Sequence, residues 1–331
     1  MSSVAQSAQI SPKARVPKDP TVEHQGRWAI WLIGPTLIML AVVIGYPLVA
    51  AVFQSFQADP GLDPATGFFV QGGFAGFSNY THWLLQQCGN VSCPPGSLGA
   101  SFWTATGNTF FFTIVTVALE TVIGFWMAII MNRAFRGRAF VRAAVLIPWA
   151  IPTAVTAKLW YFIFAFAGIA NALFNTQILW TSDSFWAKVA IIVADVWKTT
   201  PFMALLILAG LQIIPDELYE ASRIDGASTM QQFFRITLPL VRPALMVAIL
   251  FRTLDALRMY DLPAILTSGG PGDSTTTLSI LVVNQIRQGY NAAAALSTIT
   301  FLIIFGVAFI FVRFLGANVV ANRVGDTRSE I

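Results

Sequence analysis

Pro215-Asp216-Glu217-Leu218-Tyr219-Glu220-Ala221-Ser222-Arg223-Ile224-Asp225-Gly226-Ala227, followed by Phe233-Phe234-Arg235-Ile236-Thr237-Leu238-Pro239, decides how the rest of the chain is read. The segment is amphipathic and lies between two long apolar runs, unlike the other loops. Pro215 and Asp216 make a helix start, Glu217 and Glu220 sit near the positive end of that helix's dipole, and Gly226 stops or bends it. A second helix then enters the next apolar run at Pro239. Helix, break and helix make a compact knob of the kind that docks into a groove on a soluble partner.

Around this knob the composition is that of a membrane protein. Of 331 residues, 56% are hydrophobic and only 11% charged, against about 25% charged in soluble globular domains. Mean hydropathy is +0.66. A hydrocarbon core of roughly 30 Å takes about 20 apolar residues per helix, which predicts one polytopic, all-α domain over 28–316. Its six spans are Trp28 to Phe53, Phe102 to Met131, Ala143 to Phe166, Phe185 to Ile214, Leu240 to Leu266 and Ala292 to Leu315. An external loop (54–101) and the knob (215–239) connect them, with tails at 1–27 and 317–331. Pro148 and Pro152 should bend or open the third span; Pro201 and Pro263 fall inside the fourth and fifth. Carbonyls freed inside a membrane are tolerated only where protein or a water-filled cavity satisfies them. Ser268 to Asp273 reads as a turn, and Leu278 to Tyr290 as a short amphipathic helix at the outer surface.

The net charge is +4, but the basic residues are spread between apolar runs rather than gathered in the patch that nucleic-acid binding needs. Their placement sets topology instead. Lys13, Arg15, Lys18 and Arg27, and then Arg133, Arg136, Arg138 and Arg142, mark cytoplasmic segments. Gln54 to Thr104, Phe162 to Trp186 and Leu262 to Ile286 contain no Lys or Arg and face outward. Six spans place both termini in the cytoplasm. Cys88 and Cys93 share the first outward loop, where an oxidising exterior permits a disulfide-closed turn. Two unpaired thiols are the alternative, and metal binding is disfavoured because no third ligand type clusters there. His24 and His82 fall in a tail and an outer loop on opposite sides, so no His-based metal or catalytic cluster is expected.

The spacing Glu220-Ala221-Ser222, three residues, Gly226, nine residues, Ile236-Thr237-Leu238-Pro239 resembles the EAA loop of binding-protein-dependent ABC importers, with Ser222 in place of the usual second alanine. Leu208-Ala209-Gly210-Leu211-Gln212, Ile224-Asp225-Gly226-Ala227 and Gly269-Gly270-Pro271 are similar to carbohydrate-importer permeases of the maltose and glycerol-phosphate type. The resemblance runs from the first span to the sixth. It implies a type I ABC importer permease fold in the plasma membrane of a bacterium, with Glu220, Ala221, Ser222, Asp225 and Gly226 coupling to an ATPase. It also implies the partners: a second related permease, two ATPase subunits and an extracytoplasmic sugar-binding protein, in lipid and without nucleic acid. The sequence holds no Gly-x4-Gly-Lys-Ser/Thr phosphate loop. ATP and Mg are therefore expected on the partner ATPase, with no cofactor, metal or catalytic residue in this chain.

Ionisable residues inside a span are costly and mark function by default. In the fifth span Arg252, Asp255, Arg258 and Asp261 recur every three residues and drift across about half the helix circumference. That predicts opposite-charge pairs along a polar cavity, with structural pairing and sugar contact as equal readings. In the fourth span, Asp195-Val196-Trp197-Lys198-Thr199-Thr200-Pro201-Phe202 resembles the family segment that lines the substrate cavity. The resemblance carries sugar contact to Lys198, Thr199 and Phe202, and in the third span to Trp149 and Thr153. Lys198 departs from the maltose-type pattern, where small or apolar residues are common. Glu120 and Lys158 receive no role. Val196 to Met203, with Phe251 to Ala256, is similar to trehalose-importer permeases of actinobacterial type. Trehalose is thus the first expectation and maltose the second, while Arg252, Arg258 and Lys198 would suit glycerol phosphate. An ion-coupled secondary transporter would share the broken helices and buried charges, but it leaves the knob unexplained.

Overall fold

The computed structural model describes residues 31–62 and 67–326 of the chain, and side chains as far as 313; the expected tail 1–27 and residues 327–331 lie outside them. Two units divide the chain, one up to Ala51 and one from Val52. The first is described from Trp31 and holds most of helix α1 (Trp31–Gln54), which is apolar and carries a π-turn over Ala41–Gly45.

In the second unit the external segment is built rather than loose. It contains a hairpin of β1 (Gly61–Leu62) and β2 (Phe69–Val70), helix α2 (Ser78–Leu84), and a second hairpin of β3 (Gln87–Cys88) and β4 (Val91–Ser92). The membrane helices follow: α3 (Phe102–Asn132), the pieces α4 (Arg138–Val145), α5 (Ile147–Ala150) and α6 (Thr153–Ile163), then α7 (Ile169–Phe174) and α8 (Ser184–Leu211). The knob helix α9 (Asp216–Ile224) precedes α10 (Thr229–Ala256), which carries a π-turn at Phe233–Thr237; α11 (Asp261–Leu266), α12 (Leu278–Ile286) and α13 (Tyr290–Asp326) complete the chain. Among the described residues, five helices are long and apolar enough to cross a membrane, and a sixth span results if the bent pair Arg138–Ala150 and Thr153–Ile163 is one.

Two expectations hold and two are corrected. The third span is opened at Pro152, as expected, into two helices meeting at 89°. The cause is local: the residue before a proline is pushed out of the helical region, and Ile151 is extended at ψ 132° ahead of Pro152. The fifth span ends at Ala256, not Leu266, and Pro263 lies within a separate short helix, α11. The expected short amphipathic helix is α12: Leu278 and Leu281 are fully buried against Trp83, Phe102, Ala295 and Leu296, while Asn284 and Ile286 are exposed. Helix α13 continues to Asp326, through the first part of the expected tail.

Three apolar clusters hold the unit together. One joins α6, α7, α8 and α11 through Ala157, Ala170, Ile191, Leu262 and Leu266. A second, at the opposite end of α8, joins Met131, Leu211, Ile214 and Val241, with Val145, Tyr219 and Phe233 packed on it. The third ties α2 to α12 and α13. Polar caps fix the ends. Asp183 accepts from the backbone N–H of Phe185 and Trp186 at 3.0 Å each, and Asp59 accepts from Asn291 N at 2.6 Å and Ala292 N at 3.0 Å. Each carboxylate answers N–H groups that the first helical turn leaves unpaired. The turn at Ser268 to Asp273 is present as expected, with Ser268, Gly269, Gly272 and Asp273 all at positive φ. Asn108 of α3 donates to the carbonyls of Asp273 and Thr276 at 2.8 and 3.0 Å.

Candidate functional site

Three helices bring ionisable groups into one buried cluster. Arg252 of α10 is 2% exposed and donates from Nε to Glu120 Oε2 at 2.5 Å and from Nη2 to Glu120 Oε1 at 3.0 Å. This is the two-pronged fit that a planar guanidinium makes with a carboxylate. Nη2 also donates to Asp195 of α8, and Nη1 to Asp255 Oδ2 at 3.2 Å. The Thr199 hydroxyl lies 2.6 Å from Glu120 Oε1 and 2.7 Å from the Asp195 carbonyl. Glu120 is completely buried and Asp195 nearly so, while the Asp255 side chain is 66% exposed. At 1.5 Å per residue Glu120 stands about 18 Å from the Asn132 end of α3, and Asp195 about 24 Å from the Leu211 end of α8. Those two ends share the second apolar cluster, so the charges sit well inside a core roughly 30 Å thick.

Beside the cluster, the break in the third span is stitched to α8. Lys198 Nζ donates to the Ile151 carbonyl at 2.8 Å, the group that the Pro152 break releases from helical bonding. Trp149 stacks on Phe202 with ring centroids 5.8 Å apart and 18° between planes. Thr153 begins α6 and is half-buried. Of the residues expected to touch sugar, Trp149, Lys198 and Phe202 therefore come together, and Thr199, Arg252 and Asp255 adjoin them through the ion cluster. Thr199 and Arg252 are buried with their donors engaged inside the protein. Arg258 stays outside: α10 has ended, and its exposed guanidinium turns back to the Leu254 carbonyl at 3.3 Å. Asp261 is exposed at the start of α11.

Glu120, which the sequence reading left without a role, is the acidic centre of the cluster. The signal existed: it is the only charged residue in the 31 residues of α3, and a lone carboxylate in an apolar helix needs a partner. Lys158, also unassigned, is exposed and lies 5.5 Å from the Tyr161 ring centroid.

At the end of the bundle the knob has the anticipated form. Gly226 takes φ +75°, a conformation that L side chains resist. It lets Gly226 N donate to Arg223 O at 3.1 Å and Ala227 N to Ser222 O at 2.9 Å, which closes the last turn of α9. Ser228 and Gln231 then cap the start of α10 reciprocally. The Tyr219 hydroxyl meets Thr237 Oγ1 at 3.0 Å, and Phe233 packs edge-on to Phe125 at 5.5 Å. Glu220, Ala221, Asp225 and Gly226 remain exposed and Ser222 is half-buried. Ile224 stands 87% exposed on the same knob. Ser222, Asp225, Gly226, Gln231 and Arg235 line a hollow of about 420 Å³ beside it.

Outside the bundle, Cys88 and Cys93 form a disulfide. His82 Nδ1 stands 3.8 and 3.9 Å from the two sulfurs, so the third ligand type that the sequence reading did not place there is present. With the sulfurs bonded to each other, the thiolates a metal would require are not free.

Residues 120–325 match the family described as binding-protein-dependent transport system inner membrane component. The trehalose/maltose transport system permease protein MalF of Thermococcus litoralis is 38% identical over 85% of this chain and 91% of its own length. The sulfoquinovosyl glycerol transport system permease protein SmoG of Agrobacterium fabrum is 37% identical over 81% and 84%. The trehalose transport system permease protein SugA of Mycobacterium tuberculosis is 34% identical over 88% and 89%. Among solved structures, a bacterial ABC transporter involved in import of the acidic polysaccharide alginate aligns with a TM-score of 0.68, at 20% identity over 92% of this chain and 99% of that one. The polytopic helical fold, the knob and the extent of these matches lead to one assignment: the chain belongs to the family of binding-protein-dependent transport system inner membrane components, the permeases of type I ABC importers.

Proposed function

We propose that this chain is the permease subunit of an ATP-driven sugar importer, working by alternating access, with trehalose as first cargo and maltose as second. The observation that carries the reading is the continuity of α10. The helix starts at the exposed knob and runs to Arg252 in the buried cluster. A displacement of Glu220 to Gly226 by an ATPase closing on it is thereby passed to the depth where Trp149, Lys198 and Phe202 meet. The names of the relatives, trehalose/maltose, trehalose and sulfoquinovosyl glycerol permeases, support a carbohydrate cargo.

Within that reading the roles divide. Trp149 and Phe202 offer aromatic faces, Thr153 a hydroxyl, and Asp255 an exposed carboxylate for sugar hydroxyls. Lys198 uses one of its three N–H donors on Ile151 and keeps the rest for a ligand. Thr199 and Arg252 position Asp255 and Glu120 rather than touch sugar in this conformation. The partners that complete the machine are a second permease, two ATPase subunits holding ATP and Mg, and an extracytoplasmic binding protein. Both termini lie in the cytoplasm.

Uptake of labelled trehalose by cells carrying the assembled transporter, challenged with unlabelled maltose and with glycerol phosphate, tests the cargo. Trehalose should compete best. Competition by glycerol phosphate alone would replace the sugar with an anion, in line with the glycerol-3-phosphate permease UgpA of Yersinia pestis, 30% identical over 87% of this chain.

A further inference from the structure

The connection from α3 to α4 carries more charge than its local structure uses. Arg133, Arg136 and Arg138 are exposed, and among the described residues the only ion pairs are the three made by Arg252. Arg142 behaves differently: its Nε and Nη2 donate to the Met131 carbonyl at 3.3 and 2.8 Å, which folds α4 back on the end of α3. The sequence supplies no local counter-charge, because no Asp or Glu occurs between Glu120 and Asp183. Two aromatic side chains flank the arginines, Phe135 at 39% and Phe140 at 78% exposure. On α4 Phe140 projects about 160° away from Arg138 and Arg142. The helix is thus split between a basic edge and a bare aromatic edge.

Its position fixes what such a helix meets. Met131 and Val145, at either end of the connection, pack in the apolar cluster that also holds Tyr219 and Phe233. The arginines therefore lie at the boundary where α3 leaves the apolar core, on the same end of the bundle as the knob. A short helix with unpaired guanidinium groups and an exposed phenylalanine at that depth matches a bilayer interface, where rings sink below the headgroups and arginine grips phosphate in two-pronged fashion. We propose that Arg133, Arg136 and Arg138, with Phe140 as apolar anchor, form a binding surface for anionic phospholipid headgroups in the leaflet on the knob side. Lipid charge then supplies the counter-ions that the chain lacks, and it pins the α4 hinge next to the broken span.

The full chain, with a photoreactive phenylalanine analogue at position 140, is reconstituted in vesicles of phosphatidylcholine and phosphatidylglycerol in equal parts and irradiated. Cross-links to phosphatidylglycerol should exceed those to phosphatidylcholine. The excess should fall about fivefold for each of Arg133→Gln, Arg136→Gln and Arg138→Gln, and shrink as salt is raised. Each variant is read separately, so one that inserts poorly leaves the others to decide. Equal labelling of the two lipids, or labelling that moves to a protein subunit when the whole transporter is reconstituted, would overturn the proposal. Neither result bears on whether the chain transports sugar.

Discussion

Arg252 and Glu120 are 132 residues apart in sequence and meet inside the membrane through two hydrogen bonds, at 2.5 and 3.0 Å, with both side chains at most 2% exposed. Each is tolerable there only because of the other. Asp195 completes a three-helix junction of α3, α8 and α10 around one guanidinium.

Removing the cation alone should be the most damaging single change. Arg252→Ala leaves Glu120 and Asp195 buried and uncompensated and should cost about 3–5 kcal/mol. The triple variant Arg252→Met, Glu120→Gln, Asp195→Asn should recover much of that loss, because no net charge remains buried. Thermal unfolding of the purified chain in detergent compares the two. Equal destabilisation would mean that the residues do not act as a unit.

Lys198 should prove structural as well as ligand-facing. Lys198→Met leaves the Ile151 carbonyl without its donor and should cost about 1–3 kcal/mol, while Lys198→Arg keeps an N–H within reach. Hydrogen exchange over residues 146–163 should accelerate in the first variant and stay near native in the second. Unchanged exchange in Lys198→Met would show that the contact does not hold the break.

How much of this was legible beforehand depends on the range of each interaction. The spans, the knob and its Gly226 turn follow from local properties, apolar run length and the need for positive φ. The turn at Ser268 to Asp273 was equally local. The ion cluster was half legible: three-residue spacing picked out Arg252 and Asp255, but it also picked Arg258, because nothing in Leu257-Arg258-Met259-Tyr260 announces that α10 stops at Ala256. The role of Glu120 is not legible locally because its partner lies on another helix. No periodicity encodes a pairing across 132 positions. Likewise His82 joins Cys88 and Cys93 only after α2 and the second hairpin fold together.

The Cys88–Cys93 bridge closes a short loop, sequence separation 5, so replacing both cysteines by serine should cost about 2 kcal/mol by loop entropy. The effect should be confined to the external segment. Limited proteolysis of 54–101 should speed up, while the unfolding of the helical bundle should shift little. Alkylation of either cysteine without prior reduction would contradict the bridge.

At Gly226 a built Cβ meets nothing within 4 Å, so substitution there is penalised by backbone conformation and not by crowding. Asn enters the left-handed region more readily than a branched residue. Gly226→Asn should therefore retain most transport, whereas Gly226→Val should cost about 1–2 kcal/mol locally and open the last turn of α9. Transport rates of the two variants at equal membrane abundance give the comparison.

In the proposed function, energy enters this chain at the knob and reaches the sugar path along α10. ATP hydrolysis and labelled-trehalose uptake measured in the same proteoliposomes, with the complete transporter carrying Glu220→Lys or Gly226→Val, test that most directly. Both variants should insert normally and lose uptake relative to hydrolysis. Wild-type uptake for each ATP hydrolysed in both would contradict it.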